Sequence, residues 1–352
     1  MTGWDAGLVN AHTHLYSGLS SLGMPAPKVK PMNFVEILQQ VWWKLDRALD
    51  EDMLRAAARL TVADAVLAGT TGLIDHHESP NSIEGSLDVL ADVCQEIGIR
   101  AVLCYGVTER NGGRDEARRG LEECARFIAS NHRPLVRGVL GIHASFTVSD
   151  ETLFDIGDVA RDLETVVHVH VAEDRADVAD ARVRGYEGPL QRLLENETLP
   201  PGSILAHGVH LSADEMALAN ENGLWLVQNP RSNKNNGVGY PMSIHAADRV
   251  ALGTDGFPSD MLEEAAVLLT EAREHEPDPE ESLTRMERGG ELLAERFNGG
   301  GSTPDACVRV GTVLVDGCEV VRDGQLVTAD FDAIRVEAEV QAGRLWARMA
   351  AL

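Results

Sequence analysis

The chain has 352 residues, 44% of them hydrophobic and 5% aromatic, enough for a large buried core built as two ordinary domains or as one barrel with additions. A formal charge of −25 opposes phosphate backbones and acidic lipid surfaces, so neither nucleic acid nor a membrane is an expected partner. No run of eighteen apolar residues occurs and the N-terminus lacks a signal-peptide pattern; a cytoplasmic protein is expected, with Cys94, Cys104, Cys124, Cys307 and Cys318 as reduced thiols.

The first element is the apolar run Leu8 to Leu15, which carries His12 and His14. A strand's period of two places both imidazoles on one face, where they form half of a metal site. Alone, the pair is equally consistent with one satisfied core histidine. A loop containing Gly18, Gly23, Pro25, Pro27 and Pro31 leads to a helix predicted over about 33–48, whose Phe34, Trp42 and Trp43 are expected to be a packed face rather than a lid. A second helix is predicted over about 51–67, with Gly69 as a left-handed C-cap.

Short apolar strands then alternate with amphipathic helices. Including the first, strands are predicted to begin near Leu8, Leu73, Arg100, Val136, Val166, Ile204, Leu224 and Val250. Helices are predicted near 85–97, 115–129, 150–163 and 212–222, the last opened by a Ser212/Glu215 capping box. Eight such units predict an α/β fold of the (β/α)8 TIM-barrel type. The rival, an open doubly wound sheet, lacks a Gly-x-Gly-x-x-Gly after its first strand. The barrel is assigned to residues 1–298 and a glycine-rich linker to 299–303. Residues 304–352 follow, with short strands over 308–315 and 319–327, turns at Asp316-Gly317 and Asp323-Gly324, and a helix over about 330–349.

A barrel places catalytic groups at the C-terminal ends of its strands. The fifth strand ends His168-Val169-His170 with Glu173 beyond, the sixth in His207 and His210, and the eighth in Gly253-Thr254-Asp255-Gly256. Singly, each is more often a structural histidine or a turn aspartate. Jointly, three histidines and a carboxylate suit a zinc-type ion with room for water.

His12-Thr13-His14, His170 with Glu173, His207 and the Gly-Thr-Asp255-Gly run together resemble the amidohydrolase superfamily, on the branch of cytosine, guanine and adenosine-type deaminases and triazine hydrolases. Leu73-Ile74-Asp75-His76-His77-Glu78-Ser79-Pro80, Asn229-Pro230-Arg231-Ser232-Asn233 and Gly237-Val238-Gly239-Tyr240 are similar to phrases of SsnA-type aminohydrolases. The resemblance implies His12, His14, His170 and Asp255 as metal ligands, and Glu173 and His207, with Asp255, as the catalytic groups. His168 and His210 match no such position and are read as supporting groups, as are His76 and His77. Relatives with two metals commonly bridge them through a lysine ending the fourth strand. Here that strand reads Gly138 to His143, and the four lysines, Lys28, Lys30, Lys44 and Lys234, lie elsewhere. One divalent metal is therefore expected, zinc by default and iron as the alternative.

The implied reaction is hydrolytic deamination of a small nitrogen heterocycle such as a purine, pyrimidine, pterin or triazine. Candidate substrate contacts are Glu109, Arg110, His143, Asn229 and Arg231; the two arginines suit an anionic or carbonyl-rich substrate, or ordinary ion pairs. A second enzymatic reading is hydrolytic dehalogenation or cyclic-amide opening, and a third is a catalytically silent barrel serving as a binding or scaffold protein. Family members carry a β-sandwich built from both chain ends. With the first barrel strand starting at Leu8, its N-terminal half is expected to be absent, leaving sheet edges to be covered by the barrel, the final helix or a second copy in a homodimer.

Overall fold

All eight predicted strand positions are occupied in the computed structural model, which describes residues 5–298 and 306–352. The predicted linker at 299–303 lies outside the described residues. The strands preceding it are β1 (Asp5–Ala6), β2 (Leu8–Thr13), β3 (Thr70–His77), β4 (Arg100–Val107), β5 (Val136–Gly138), β6 (Leu140–Ala144), β7 (Val167–Val171), β8 (Ile204–His207), β9 (Trp225–Gln228) and β10 (Val250–Leu252). The fourth predicted strand is interrupted at Val139, and both its pieces, β5 and β6, pair with β4.

The sheet is parallel, in the order β10-β9-β8-β7-β6-β4-β3-β2. It closes on itself where Thr254 N and Asp255 N donate to His12 O at 3.0 and 2.9 Å and Thr13 bridges Asp255. This is a (β/α)8 barrel. Its lower interior is apolar, with Val9, Ala11, Ile74, Val102, Val227 and Ala251 meeting Leu292 and Leu293 of the helix Thr284–Asn298. The polar side chains gather at the other end.

Closure imposes two local demands. A Cβ on Gly253 would lie 2.7 Å from His12 N and 2.8 Å from His12 O, so only glycine lets the last strand approach the first. Asn10 then clamps the seam: its amide donates to Thr254 Oγ1 at 2.7 Å and Ser259 Oγ at 2.9 Å, and its carbonyl accepts from Thr254 N at 3.0 Å.

Helices flank the strands much as their caps dictate. Asp50 accepts from Met53 N at the start of Glu51–Leu67, which ends at Gly69 with φ +87°, and the Ser212 capping box opens Ala213–Glu221. The helix predicted over 33–48 forms in three pieces: Phe34–Ile37, a π-helical turn Leu38–Trp42, and Trp43–Ala48.

After the linker, β11 (Cys307–Arg309), β12 (Thr312–Val315), β13 (Cys318–Arg322) and β14 (Gln325–Leu326) form an antiparallel sheet. Its two-residue turns have positive φ at Asp316, Gly317, Asp323 and Gly324, as type I′ hairpins require. In place of an N-terminal segment of several strands, β1 adds two residues to this sheet through Asp5↔Val308 and Ala6↔Cys307. Val313, Val315, Val320 and Val321 are buried in the same core as Ile334 and Ala338 of the final helix, Phe331–Ala351. Barrel and helix thus cover the sheet's inner face. Arg344 and Arg348 tie that helix to Asp50 at 3.0 and 2.8 Å, and Trp346 Nε1 donates to Leu22 O. Among the described residues no helix is long and apolar enough to cross a membrane.

Asn10→Ala removes three buried hydrogen bonds across the seam, while Thr254 N keeps His12 O, and should destabilise the fold by about 1–3 kcal/mol in urea denaturation; an unchanged midpoint would remove the clamp from the account of closure.

Candidate active site

At the C-terminal rim, three non-glycine residues adopt positive φ: Ala172 at 49°, His207 at 72° and Asp255 at 54°. Each such residue costs about 1–3 kcal/mol and persists only where its surroundings enforce it. Here the sharp turns end β7, β8 and β10 and leave Glu173, His207 and Asp255 facing one cavity region.

His12 and His14 leave β2 on the same face. His14 Nε2 lies 2.8 Å and His12 Nε2 3.5 Å from Asp255 Oδ1, and His170 Nε2 is 3.2 Å from His14 Nε2. One donor atom from each of these four residues falls within 4.8 Å of all the others. The tautomers are fixed from behind. His14 Nδ1 donates to His76 O at 2.6 Å and His170 Nδ1 to His143 O at 2.5 Å, so both rings turn Nε2 toward the centre of the cluster. His12 Nδ1 is 2.9 Å from His168 Nε2, whose Nδ1 is 3.8 Å from Cys104 Sγ, and that thiol donates to Asp75 O at 3.5 Å. Read in one direction, this relay leaves His12 Nε2 unprotonated.

The donor set fits a divalent cation. His12 Nε2 is buried without a hydrogen-bond partner, and it lies among the ligand atoms of His14, His170 and the Asp255 carboxylate. Burial holds His12, His168 and His170 neutral, well below the usual imidazole range. Burial also opposes charge on His14, but the Asp255 carboxylate beside it overrides this and raises its pKa to about 9. Burial likewise works against ionised Asp255, yet its contacts with His12 and His14 hold it well below the carboxylate range. Such a field retains positive charge at this point.

Glu173 Oε2 is 3.6 Å from His207 Nε2, a second buried nitrogen with no hydrogen-bond partner. Burial raises the Glu173 pKa to about 7, against the opposing influence of His207. One short helix, Pro230–Asn236, orders this half of the site. Ser232 Oγ donates to Asp255 Oδ2, Asn233 Oδ1 accepts from His207 Nδ1 at 2.9 Å, and Asn236 Nδ2 reaches Glu173 Oε1 at 3.4 Å. Sequence reasoning gave these three residues no role. Their signal was the polar run following Asn229-Pro230, where proline suits the first helical turn.

The cavity above the site bears on two expectations. Phe34, Trp42 and Trp43 line it with Leu38 of the π-turn, while Phe34 packs on Val209 and Val238 and Trp42 on the main core, so the packed face is also a wall of the cavity. Of the candidate substrate contacts only His143 lines it. Glu109 instead accepts from Ser149 N and Oγ at 2.9 and 2.6 Å, at the start of the helix Asp150–Asp162. Arg110 is buried between Asp46 at 2.9 Å and Glu78 at 2.8 Å. Asn229 is fully buried, 3.4 Å from His207 Nδ1. Arg231 is spent on Glu264, on Glu263 at 2.7 Å and on Pro258 O at 2.6 Å. Neither arginine is free for an anionic substrate, because each already has carboxylate partners. His76 Nε2 donates to Ile142 O and His77 to Ser79 Oγ, both as supporting contacts, while His210 is half-buried and outside the cavity lining.

A closed (β/α)8 barrel with clustered imidazoles and carboxylates at its C-terminal rim is the architecture of a metal-site barrel. The chain belongs to the amidohydrolase family, whose model matches residues 6–287. It is 30% identical to a 5'-deoxyadenosine deaminase of Methanopyrus kandleri over 79% of this chain, and spans 64% of that relative's length. It is 29% identical to an 8-oxoguanine deaminase of Pseudomonas aeruginosa, over 76% of this chain and 62% of the relative. A zinc-bound adenosine deaminase of Xanthomonas campestris shares the fold, with a TM-score of 0.82 and 23% identity over 97% of this chain and 85% of that one. So does the zinc-bound atrazine chlorohydrolase TrzN of Arthrobacter aurescens, with a TM-score of 0.80 and 21% identity over 96% and 87% of the two chains.

His168→Leu removes the acceptor that fixes the His12 tautomer. Chelator competition should show zinc binding weakened about 10–100-fold with the fold retained; unaltered affinity would refute the relay.

Proposed function

We propose that this protein is a metal-dependent aminohydrolase that removes an amino group from a small nitrogen heterocycle, a purine, pyrimidine, pterin or triazine. The observation that carries the reading is Glu173, a buried acid with pKa about 7, set 3.6 Å from His207 on the cavity lined by His14, His170 and Asp255 of the four-residue donor set. The deaminase names of the relatives from Methanopyrus kandleri and Pseudomonas aeruginosa support it.

His12, His14, His170 and Asp255 would hold the ion, and three imidazoles with one carboxylate favour zinc. When bound, the metal supplies the Lewis acidity that makes a water nucleophilic near neutral pH. His207, anchored through Nδ1 on Asn233, presents Nε2 to the site and orients the attacking water. Asp255, ionised, is the acceptor for the water's proton. Glu173 delivers its proton to the ring nitrogen next to the attacked carbon. The amino group leaves as ammonia after taking from Asp255 the proton that came from the water; the carbon keeps the water's oxygen, whose remaining proton returns to Glu173 as the carbonyl forms. Halide displacement, the runner-up reaction, would use the same ring protonation but needs no proton on its leaving group; the deaminase names of the relatives favour ammonia loss.

A screen of purines, pyrimidines, pterins and triazines with zinc-loaded protein should release ammonia; chloride release from a halogenated triazine without ammonia from any amine would favour the dehalogenase. Because Glu173 acts in its protonated form, kcat/KM should fall as pH rises through about 7. Glu173→Gln should keep the metal and lose turnover, and full residual activity would overturn the assignment.

A further inference from the structure

One edge of the cavity is made by Glu78, just beyond β3, and His143, near the end of β6. A single guanidinium nitrogen of Arg110 reaches both Glu78 Oε2, at 2.8 Å, and Asp46 Oδ2, at 2.9 Å. One buried cation therefore serves two buried acids, and the Arg110 guanidinium has no charge to spare for a ligand.

The remaining groups of this edge face one another as acceptors. Thr147 Oγ1 gives its hydrogen to Ala144 O at 2.8 Å, so His143 Nδ1, 3.1 Å from that hydroxyl, must be the donor. His143 Nε2 then presents a lone pair, 3.7 Å from Glu78 Oε1. His76 gives its Nε2 hydrogen to Ile142 O at 3.0 Å and turns Nδ1 toward the same carboxylate oxygen, also at 3.7 Å. That Nδ1 is buried and has no hydrogen-bond partner. Glu173, Asp174, Asp177 and Asp255 line the cavity too, and among its described lining residues there is no lysine or arginine.

We infer that the Glu78–His143 edge is a hydrogen-bond-accepting, anion-excluding subsite, which takes N–H or O–H donors of an uncharged heterocyclic substrate and rejects substrates bearing phosphate or carboxylate. The inference rests on the deaminase reading for the choice of ligands, while the charge preference follows from the edge itself. The apolar wall of Phe34, Leu38 and Trp42 suits the ring or an uncharged substituent.

The test is calorimetric binding to zinc-loaded protein carrying Glu173→Gln, so that ligands are not consumed. 5'-Deoxyadenosine and 8-oxoguanine serve as uncharged probes, with adenosine 5'-monophosphate as the anionic one. At least one uncharged probe should bind about 100-fold tighter than the monophosphate. Adding Glu78→Gln should reduce that ratio to below about tenfold. His143→Gln, which replaces an acceptor without touching the Arg110 pairing, should weaken the uncharged probe if the first variant misfolds. Equal affinity for the monophosphate, a ratio indifferent to both substitutions, or no binding of any probe would overturn the inference. So would two equivalents of zinc with one lost on Glu78→Gln, which would mark a second cation site. Probes that bind with the expected preference but yield no ammonia from protein retaining Glu173 would sink the deaminase reading and leave the subsite standing.

Discussion

The carbonyl of His12 accepts hydrogen bonds from two successive backbone N–H groups, those of Thr254 and Asp255. That oxygen joins the last strand to the first, and the residues on either side of the joint carry the site's imidazole and carboxylate. Gly253 must lack a side chain for the strands to come this close, and Asn10 secures the joint with three hydrogen bonds. Closure of the barrel and placement of the donor set are one event. Any change that loosens the seam also separates Asp255 from His12 and His14.

Around that joint, environment assigns different states to chemically similar groups. Asp255, beside two imidazoles, is held ionised, whereas Glu173, buried with fewer opposing contacts, keeps its proton to about pH 7. Pushing two carboxyl groups apart in this way gives one cavity both a base and an acid. The helix Pro230–Asn236 touches Asp255, His207 and Glu173 together, so a single seven-residue element coordinates the three.

Much of this was legible in the sequence, for identifiable reasons. Parallel strands covered on both faces read as short apolar runs, and His12, His14, His170 and Asp255 stood out because polar residues ending such runs are conspicuous. Ser212 and Gly69 signalled their helix ends through local chemistry alone. What stayed hidden was relational. Arg231 looked like a ligand contact because nothing in its neighbourhood reveals Glu264, 33 positions away, as its partner. Phe34 and Trp42 have the spacing of a packed face whether they meet a core or a cavity. The two-residue strand β1 is too short to carry a pattern, and its pairing with Val308 depends on the far end of the chain.

The seam also sets an order in time. Asn10 and Thr254 are 244 positions apart, so during synthesis His12 and His14 emerge long before their carboxylate partner exists. Contacts so distant form late, after most of the loop-closure entropy has been lost. A partly made chain therefore offers a passing cation only an exposed pair of imidazoles, and full coordination becomes available when the eighth strand docks. The four-residue donor set is thus complete only when the barrel is.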